Sequence, residues 1–132
     1  MSEKIEIKKK ILLVDDDPLI IRMYQYKLSH DGYQIDLAFN GEDAVMEAKR
    51  KLPDLILLDL MMPKMNGVEA LKFLRKEADT KNIPVIILTN LGDDEEYIKL
   101  TKEIGAVDYL VKAETSLREL SKKVGDILDR KK

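Results

Sequence analysis

Carboxylates follow two apolar segments of this chain at the points where the segments end. Three aspartates, residues 15–17, come directly after the apolar run 11–14, and Asp59 comes directly after a second run, 55–58. Like charges held close together raise each other's pKa unless a cation offsets them. Because the chain has no cysteine and a single histidine, the sequence favours an oxygen-bound Mg²⁺ over Zn²⁺.

Composition limits the class of protein. With 132 residues, of which 45% are apolar and 36% charged, the chain is expected to form one soluble domain. The net charge of −2 argues against direct nucleic-acid binding. The absence of cysteine excludes disulfides and thiol catalysis and is typical of a cytoplasmic protein. Charges interrupt every apolar run after a few residues, so we predict neither a membrane span nor a signal peptide.

Short apolar runs alternate with longer amphipathic stretches along the chain. The predicted strands are residues 11–14, 35–39, 55–58, 85–88 and 107–111. Each predicted helix opens on residues that favour a helix N-terminus: Asp17 before Pro18, Asn40-Gly41, Asn66 with Glu69, Gly92-Asp93-Asp94, and Ser116 with Glu119. We expect the first helix to end near His30 and the fourth near Gly105. This alternation predicts an α/β fold with a doubly wound parallel sheet, whose ligand site lies at the carboxyl ends of the strands.

Two further polar residues follow predicted strands at that edge. Thr89 comes after the fourth strand and Lys112 after the fifth. They would converge with the acidic cluster although the sequence separates them widely. Lys112 would neutralise a transferred phosphoryl group, and the Thr89 hydroxyl would donate a hydrogen bond to one of its oxygens.

The carboxylates divide into a nucleophile and metal ligands. Asp59, on the more central strand, is the candidate nucleophile that a metal would bring close to an anionic phosphodonor. Asp16 would bind Mg²⁺ directly and Asp15 through a water molecule, because Mg²⁺ keeps part of its hydration shell. A backbone carbonyl after Asp59, assigned to Met61, would be the remaining metal ligand that the protein supplies.

Four stretches of the chain resemble the receiver domain of bacterial two-component response regulators, the single-domain chemotaxis type included. They read ILLVDDDP (11–18), PDLILLDLMMPKMNG (53–67), PVIILT (84–89) and GAVDYLVK (105–112). The resemblance extends over residues 11–130, with residues 1–10 as a charged N-terminal extension. It implies a flavodoxin-like fold with five helices and sheet order 2-1-3-4-5.

The resemblance also implies roles. Asp59 would accept a phosphoryl group from a sensor histidine kinase or a histidine phosphotransfer protein. Asp16, Asp59 and the Met61 carbonyl match the family's metal ligands, and Thr89 and Tyr109 match its switch pair. Such a domain assists its own phosphorylation and dephosphorylation but is a signalling domain rather than an enzyme.

Phosphorylation would act on one surface. The modification adds about −1.5 to −2 charge, which would draw Thr89 towards the phosphoryl group and let Tyr109 turn inward. The surface around residues 95–104 and 109–124 would then change and bind a downstream protein target. We expect a monomer, or a weak dimer through the fourth and fifth helices.

The sequence departs from the family pattern at two positions. Ala113 follows Lys112 where the family commonly has a proline in a cis peptide bond, so we expect a trans bond and a lysine held less firmly. Asn90 follows Thr89 where a smaller residue is usual. Its larger amide is expected to hinder the approach of water or of a small phosphodonor and to prolong the phosphorylated state.

One face of the first helix is predicted to bind the phosphodonor. Leu19, Met23 and Tyr26 form a stripe beside the site, distinct from an inward stripe of Ile20, Tyr24 and residues 27–28. His30, at the end of this helix, is expected to be solvated and to bind nothing.

Two other interpretations start from the same residues. The Asp15-Asp16-Asp17 opening also resembles that of haloacid-dehalogenase-type phosphatases, in which Asp15 would be the nucleophile of a hydrolase. Leu19, in place of a threonine or valine, argues against this. The other interpretation is a receiver-like scaffold that binds partners without phosphorylation. Because little sequence follows the fifth helix, we expect a stand-alone receiver, with a receiver cut from a longer regulator as the alternative.

Overall fold

The computed structural model describes residues 8–91 and 94–129. The predicted extension before residue 8, the Gly92-Asp93 pair predicted to open the fourth helix, and residue 130 of the predicted domain lie outside these ranges. The elements are, in chain order, β1 (Lys10–Val14), α1 (Pro18–His30), β2 (Gln34–Ala38), α2 (Gly41–Lys51), β3 (Leu55–Leu58), α3 (Gly67–Lys76), β4 (Val85–Thr89), α4 (Glu95–Ile104), β5 (Asp108–Val111), a 3-10 turn (Lys112–Glu114) and α5 (Leu117–Leu128).

The sheet has the predicted topology. In the described residues it contains five strands, all parallel, in the order β2-β1-β3-β4-β5. The central strands β1, β3 and β4 are almost wholly buried because helices cover both faces. Alternate residues along them enter two cores. One core holds the contacts with α2 and α3, and the other holds those with α1 and α5.

The helices begin where the sequence predicts. Asp17 caps α1 and Asn40 caps α2. Asn66 with Glu69 and Ser116 with Glu119 form complete capping boxes at α3 and α5. For α4 the cap is Asp94, whose side chain accepts from the N–H groups of residues 96 and 97.

Several element boundaries differ from the prediction by one residue. β1 already includes Lys10, the last residue of the predicted extension, because Lys10 pairs with Gln34 of β2. β2 ends at Ala38, and Phe39 is exposed. β5 begins at Asp108, the first residue that pairs with β4, although the Val107 N–H already donates to the Val85 carbonyl.

The predicted inward stripe of α1 was confirmed at Tyr24 and Leu28 but not at Lys27, whose side chain is 32% exposed. Ile21, Tyr24 and Leu28 are the buried residues, whereas Ile20 is only partly buried against the same core. Counting back from Leu28 in steps of three to four residues reaches Tyr24 and then Ile21, which is the spacing of a single helical face.

Both edge strands carry an aspartate paired with a lysine of a flanking helix. On β2, Asp36 lies 3.2 Å from Lys51 Nζ, and on β5, Asp108 lies 3.1 Å from Lys123 Nζ. No helix within the described ranges combines the length and the apolar character that crossing a membrane requires.

Candidate functional site

Three carboxylates meet at the carboxyl edge of the sheet. Asp15 follows β1 and Asp59 follows the neighbouring strand β3, and the Asp59 N–H donates to the Val14 carbonyl at 3.1 Å. Asp15, Asp16 and Asp59 each offer a carboxylate oxygen, and these atoms all lie within 4.8 Å of one another. Asp15 and Asp59 are buried, at 2% and 5% exposure, whereas Asp16 faces solvent.

Lys112 lies against two of these carboxylates. It follows the edge strand β5, and its Nζ is 2.5 Å from Asp15 Oδ2 and 3.3 Å from Asp59 Oδ2. Its side chain is only 7% exposed. A buried ammonium needs paired charges to offset its lost hydration, so the lysine and the two aspartates depend on one another.

Burial and neighbouring charges shift the pKa values of Asp15 and Lys112. Burial raises the pKa of the Asp15 carboxyl, although the hydrogen bonds from Lys112 and from the Asp17 N–H act in the opposite direction. Burial by itself would lower the pKa of the Lys112 ammonium. The hydrogen bond to Asp15 and the charges of Asp59 and Asp15 outweigh it and raise that pKa above its ordinary value. The lysine is therefore charged at neutral pH.

The start of α3 packs directly on the backbone of Asp59. A Cβ atom at Gly67 would lie 2.2 Å from the Asp59 carbonyl oxygen, so only glycine permits this approach. In the loop between β3 and α3, the Met61 N–H approaches Asp59 Oδ1 at 3.4 Å, while the Met61 side chain is exposed. Lys64 and Met65 have the left-handed backbone that turns this loop, with φ of 54° and 68°.

Thr89 and Tyr109, the predicted switch pair, lie on the adjacent strands β4 and β5. Thr89 is fully buried at the carboxyl end of β4, and its Oγ1 accepts from the Leu91 N–H at 3.4 Å. Tyr109 packs against the core, and its hydroxyl oxygen is buried. The tyrosine therefore has the inward arrangement that the sequence predicts for the phosphorylated state. Asn90 is exposed beside Thr89.

The turn after Lys112 is held by a threonine. All peptide bonds of the described residues are trans, including the bond between Lys112 and Ala113, as expected. Lys112 begins the 3-10 turn, and the Thr115 Oγ1 donates to the Val111 carbonyl at 2.8 Å.

The predicted docking stripe of α1 faces outward. Leu19, Met23 and Tyr26 are 74%, 43% and 76% exposed. The Tyr26 ring stacks on His30, with ring centroids 6.4 Å apart, and both residues lie on the exposed side of the helix.

Sequence reasoning missed three contributors to the site. Gly67 appears in the sequence only as the last residue of the 53–67 stretch, and no local pattern indicates a role for Thr115. Tyr24 was assigned to the core, and it is buried there, but the charges of Lys112, Asp15 and Asp59 act on it. The position of Tyr24, three residues after Ile21 in the helix, indicates only that its side chain is buried. The residues around it in α1 do not indicate that it lies near Lys112.

The donor set of the acidic cluster fits Mg²⁺. Carboxylate oxygens are the ligands that this hard cation takes from proteins, and the cluster presents them from Asp15, Asp16 and Asp59 without nitrogen or sulfur. When bound, the cation would offset the negative charge that obstructs an approaching phosphate.

Comparison with known proteins agrees with this geometry. The family model of the response regulator receiver domain matches residues 11–125. The chain belongs to the response regulator receiver family. Receiver domains are signalling domains of two-component systems that bind Mg²⁺ in an acidic pocket and interact with histidine kinases or phosphotransfer proteins and with downstream targets. With the family established, the phosphatase interpretation loses its basis.

Relatives and solved structures support the same assignment of this receiver. It is 42% identical over 125 residues to the alkaline phosphatase synthesis transcriptional regulatory protein PhoP of Bacillus subtilis, covering 94% of this chain and 50% of that protein. A putative response regulator from Chloroflexus aurantiacus matches with a TM-score of 0.86 and 33% identity, over 94% of this chain and 100% of that one. The chemotaxis response regulator CheY4 of Vibrio cholerae matches with a TM-score of 0.84 and 30% identity, over 92% and 99%. The chain spans about half the length of the curated relatives it matches.

Proposed function

We propose that this receiver accepts a phosphoryl group on Asp59 from the phosphohistidine of a histidine kinase or phosphotransfer protein, in a Mg²⁺-dependent reaction in the cytoplasm. An Asp59 carboxylate oxygen forms the new P–O bond as the P–N bond of the phosphohistidine breaks, and the histidine nitrogen takes the electron pair. The observation that carries the proposal is the position of Asp59, buried at the sheet edge within reach of both Lys112 and the Asp15–Asp16 carboxylates.

Each residue of the site has a part in this transfer. Asp16, Asp59 and the Met61 carbonyl would hold the metal directly, and Asp15 would hold it through a water molecule. Lys112 offsets the charge of the incoming phosphoryl group. The phosphodonor docks on the exposed stripe of Leu19, Met23 and Tyr26.

The output is a change in the surface formed by α4, β5 and α5. Thr89 forms a hydrogen bond with the phosphoryl group, and this bond stabilises the inward position of Tyr109. A downstream protein then binds around a cavity of about 290 Å³ between α4 and β5, lined in part by Ile98, Val107 and Tyr109. Two further statements remain predictions: that the receiver stands alone, and that it is a monomer or a weak dimer through α4 and α5.

The proposal is tested by weighing the intact protein after incubation with Mg²⁺ and a small acyl phosphate. We expect a gain of one phosphoryl group that a metal chelator prevents and that Asp59→Asn abolishes. The matched control is Asp79→Asn, an exposed aspartate in the turn after α3, which should be phosphorylated like the parent chain.

Other outcomes identify the alternatives. Absence of phosphorylation with the small donor and with a panel of histidine kinases would favour the scaffold interpretation. Turnover of phosphate that persists in Asp59→Asn and disappears in Asp15→Asn would make the protein a phosphatase.

A further inference from the structure

The backbone around Lys112 determines where its ammonium group lies. The four-carbon stem of lysine has a limited reach, so Nζ contacts both Asp15 and Asp59 only while the backbone holds the Lys112 Cα atom within that reach. Lys112 is also the first residue after β5, where the strand ladder ends. The residues that fix the following turn therefore bear directly on the site.

Thr115 closes this turn from its far side. Its Oγ1 donates to the Val111 carbonyl at 2.8 Å, and its N–H donates to the Lys112 carbonyl at 3.3 Å. Val111 is paired with Thr89 in the sheet, and Ser116 begins the capping box of α5. The two hydrogen bonds of Thr115 thus join the end of β5 to the start of α5 around Lys112.

The neighbouring residues in the turn add no comparable constraint. Ala113 is exposed and has no ring to restrict its backbone. Glu114 is exposed as well. Within this turn of the described chain, the Thr115 hydroxyl is the side-chain group whose hydrogen bond returns to the strand.

We propose that Thr115 is a positioning residue for Lys112, and that its hydroxyl keeps the ammonium group against Asp15 and Asp59 during phosphoryl transfer. This inference rests on the proposed function, because it assigns Thr115 a role in the same reaction. It predicts that loss of the hydroxyl slows phosphorylation without loss of the fold.

Thr115→Val is the informative substitution. Valine has nearly the same shape and is β-branched, so it suits the extended backbone of Thr115, with φ of −119° and ψ of 113°, and removes only the donor. We expect the phosphorylation rate with a saturating small acyl phosphate to fall about tenfold, since small misplacements of catalytic groups have large effects on rate. Thr115→Ser, which keeps the donor, should restore most of the rate, and Glu114→Gln in the same turn should leave it unchanged.

A double-mutant cycle separates positioning from a general structural role. If Thr115 acts through Lys112, then Thr115→Val should have no further effect on the slower phosphorylation of Lys112→Ala. The Mg²⁺ affinity, measured by titration calorimetry, should be higher in Thr115→Val than in the parent chain, because an ammonium group held less closely to Asp15 and Asp59 competes less with the cation for their oxygens.

The outcomes distinguish this inference from the proposed function. Rapid phosphorylation of Thr115→Val, failure of serine to restore the rate, or an equal loss in the Lys112→Ala background would overturn the positioning role and leave Asp59 phosphorylation intact. A parent chain that gains no phosphoryl group would refute the proposed function, and the positioning role with it.

Discussion

At the scale of single residues, the charges of the site do not balance. With their carboxyl groups ionised, Asp15, Asp16 and Asp59 contribute three negative charges against one positive charge from Lys112, which leaves −2. A bound divalent cation would neutralise this net charge. Because a phosphoryl group adds about −1.5 to −2 more, the proposed phosphorylation of Asp59 would need Lys112 and the cation together.

The buried phenol of Tyr24 provides a pH-dependent test at this scale. Burial raises its pKa above the ordinary value of 10.0, so the folded chain holds the phenol proton more tightly than the unfolded chain does. The resulting contribution to stability is fully present below about pH 10 and is lost as the pH rises through the folded pKa. Tyr24→Phe should therefore lose less stability than the parent chain under alkaline conditions.

Urea unfolding of both proteins from about pH 8 to about pH 11 checks this expectation, since that range spans the titration of tyrosine. The difference in unfolding free energy between the two proteins should be constant at about pH 8. At about pH 11 the parent chain should have lost more unfolding free energy than Tyr24→Phe has. A difference that does not change with pH would show that the phenol titrates alike in both states.

At the scale of elements, close packing of a helix start positions Asp59, the proposed phosphoacceptor. Gly67 opens α3 and leaves room for the backbone of Asp59, and its N–H donates to the Leu60 carbonyl at 3.1 Å. The Asn66–Glu69 capping box fixes the same helix end. The backbone of Asp59 is thus fixed by its hydrogen bond to Val14 of β1 and by the close packing of α3.

Substitution of two helical glycines should have opposite effects. Gly67→Ala places a Cβ atom 2.2 Å from the Asp59 carbonyl oxygen, and we expect it to lower the free energy of unfolding by about 1–3 kcal/mol through overpacking. Gly125→Ala in α5 meets its nearest atom, an Asp129 carboxylate oxygen, at 3.4 Å. It should raise stability by about 0.5–1 kcal/mol, since alanine favours the helix.

Chemical denaturation measures both changes, and the phosphorylation rate should fall only in Gly67→Ala. Equal stability of the two variants would mean that α3 moves away from Asp59 at little energetic cost.

The helices and strands could be predicted where the residues that determine them are close together in the sequence. The apolar runs of β1, β3 and β4 and the Ser116–Glu119 capping box are written in neighbouring residues, and the prediction of each was confirmed. The contact between Gly67 and Asp59 and the hydrogen bond from Thr115 to Val111 depend on how the chain turns in space. Propensity and periodicity describe only residues that are close in sequence, so they do not predict these two contacts.

At the scale of the whole molecule, the proposed Mg²⁺ binding should be coupled to folding. A ligand that binds only the folded state stabilises it by about 2.7 kcal/mol at a concentration 100 times its Kd. Since Asp15, Asp16 and Asp59 come from two strand ends that only the folded sheet brings together, Mg²⁺ is expected to raise the thermal midpoint of this protein.

Asp16→Asn should remove most of that increase. Asp16 is exposed, so the substitution is expected to change the metal-free stability little. Thermal unfolding with and without MgCl₂, at matched ionic strength, gives the comparison, with Asp79→Asn as the control. An equal Mg²⁺ effect in Asp16→Asn and the parent chain would show that the ion acts elsewhere.

The lysine–aspartate pairs on β2 and β5 have a consequence for self-association. The open edges of a sheet present unpaired backbone groups to which a strand of another molecule can add, and natural sheets counter this with charges at the edge. Here both edges carry such a charge, Asp36 with Lys51 and Asp108 with Lys123. Continuation of the sheet into a neighbouring molecule is disfavoured at either end, so the concentrated protein is protected against fibrous aggregation, and its contacts are directed to the helical faces.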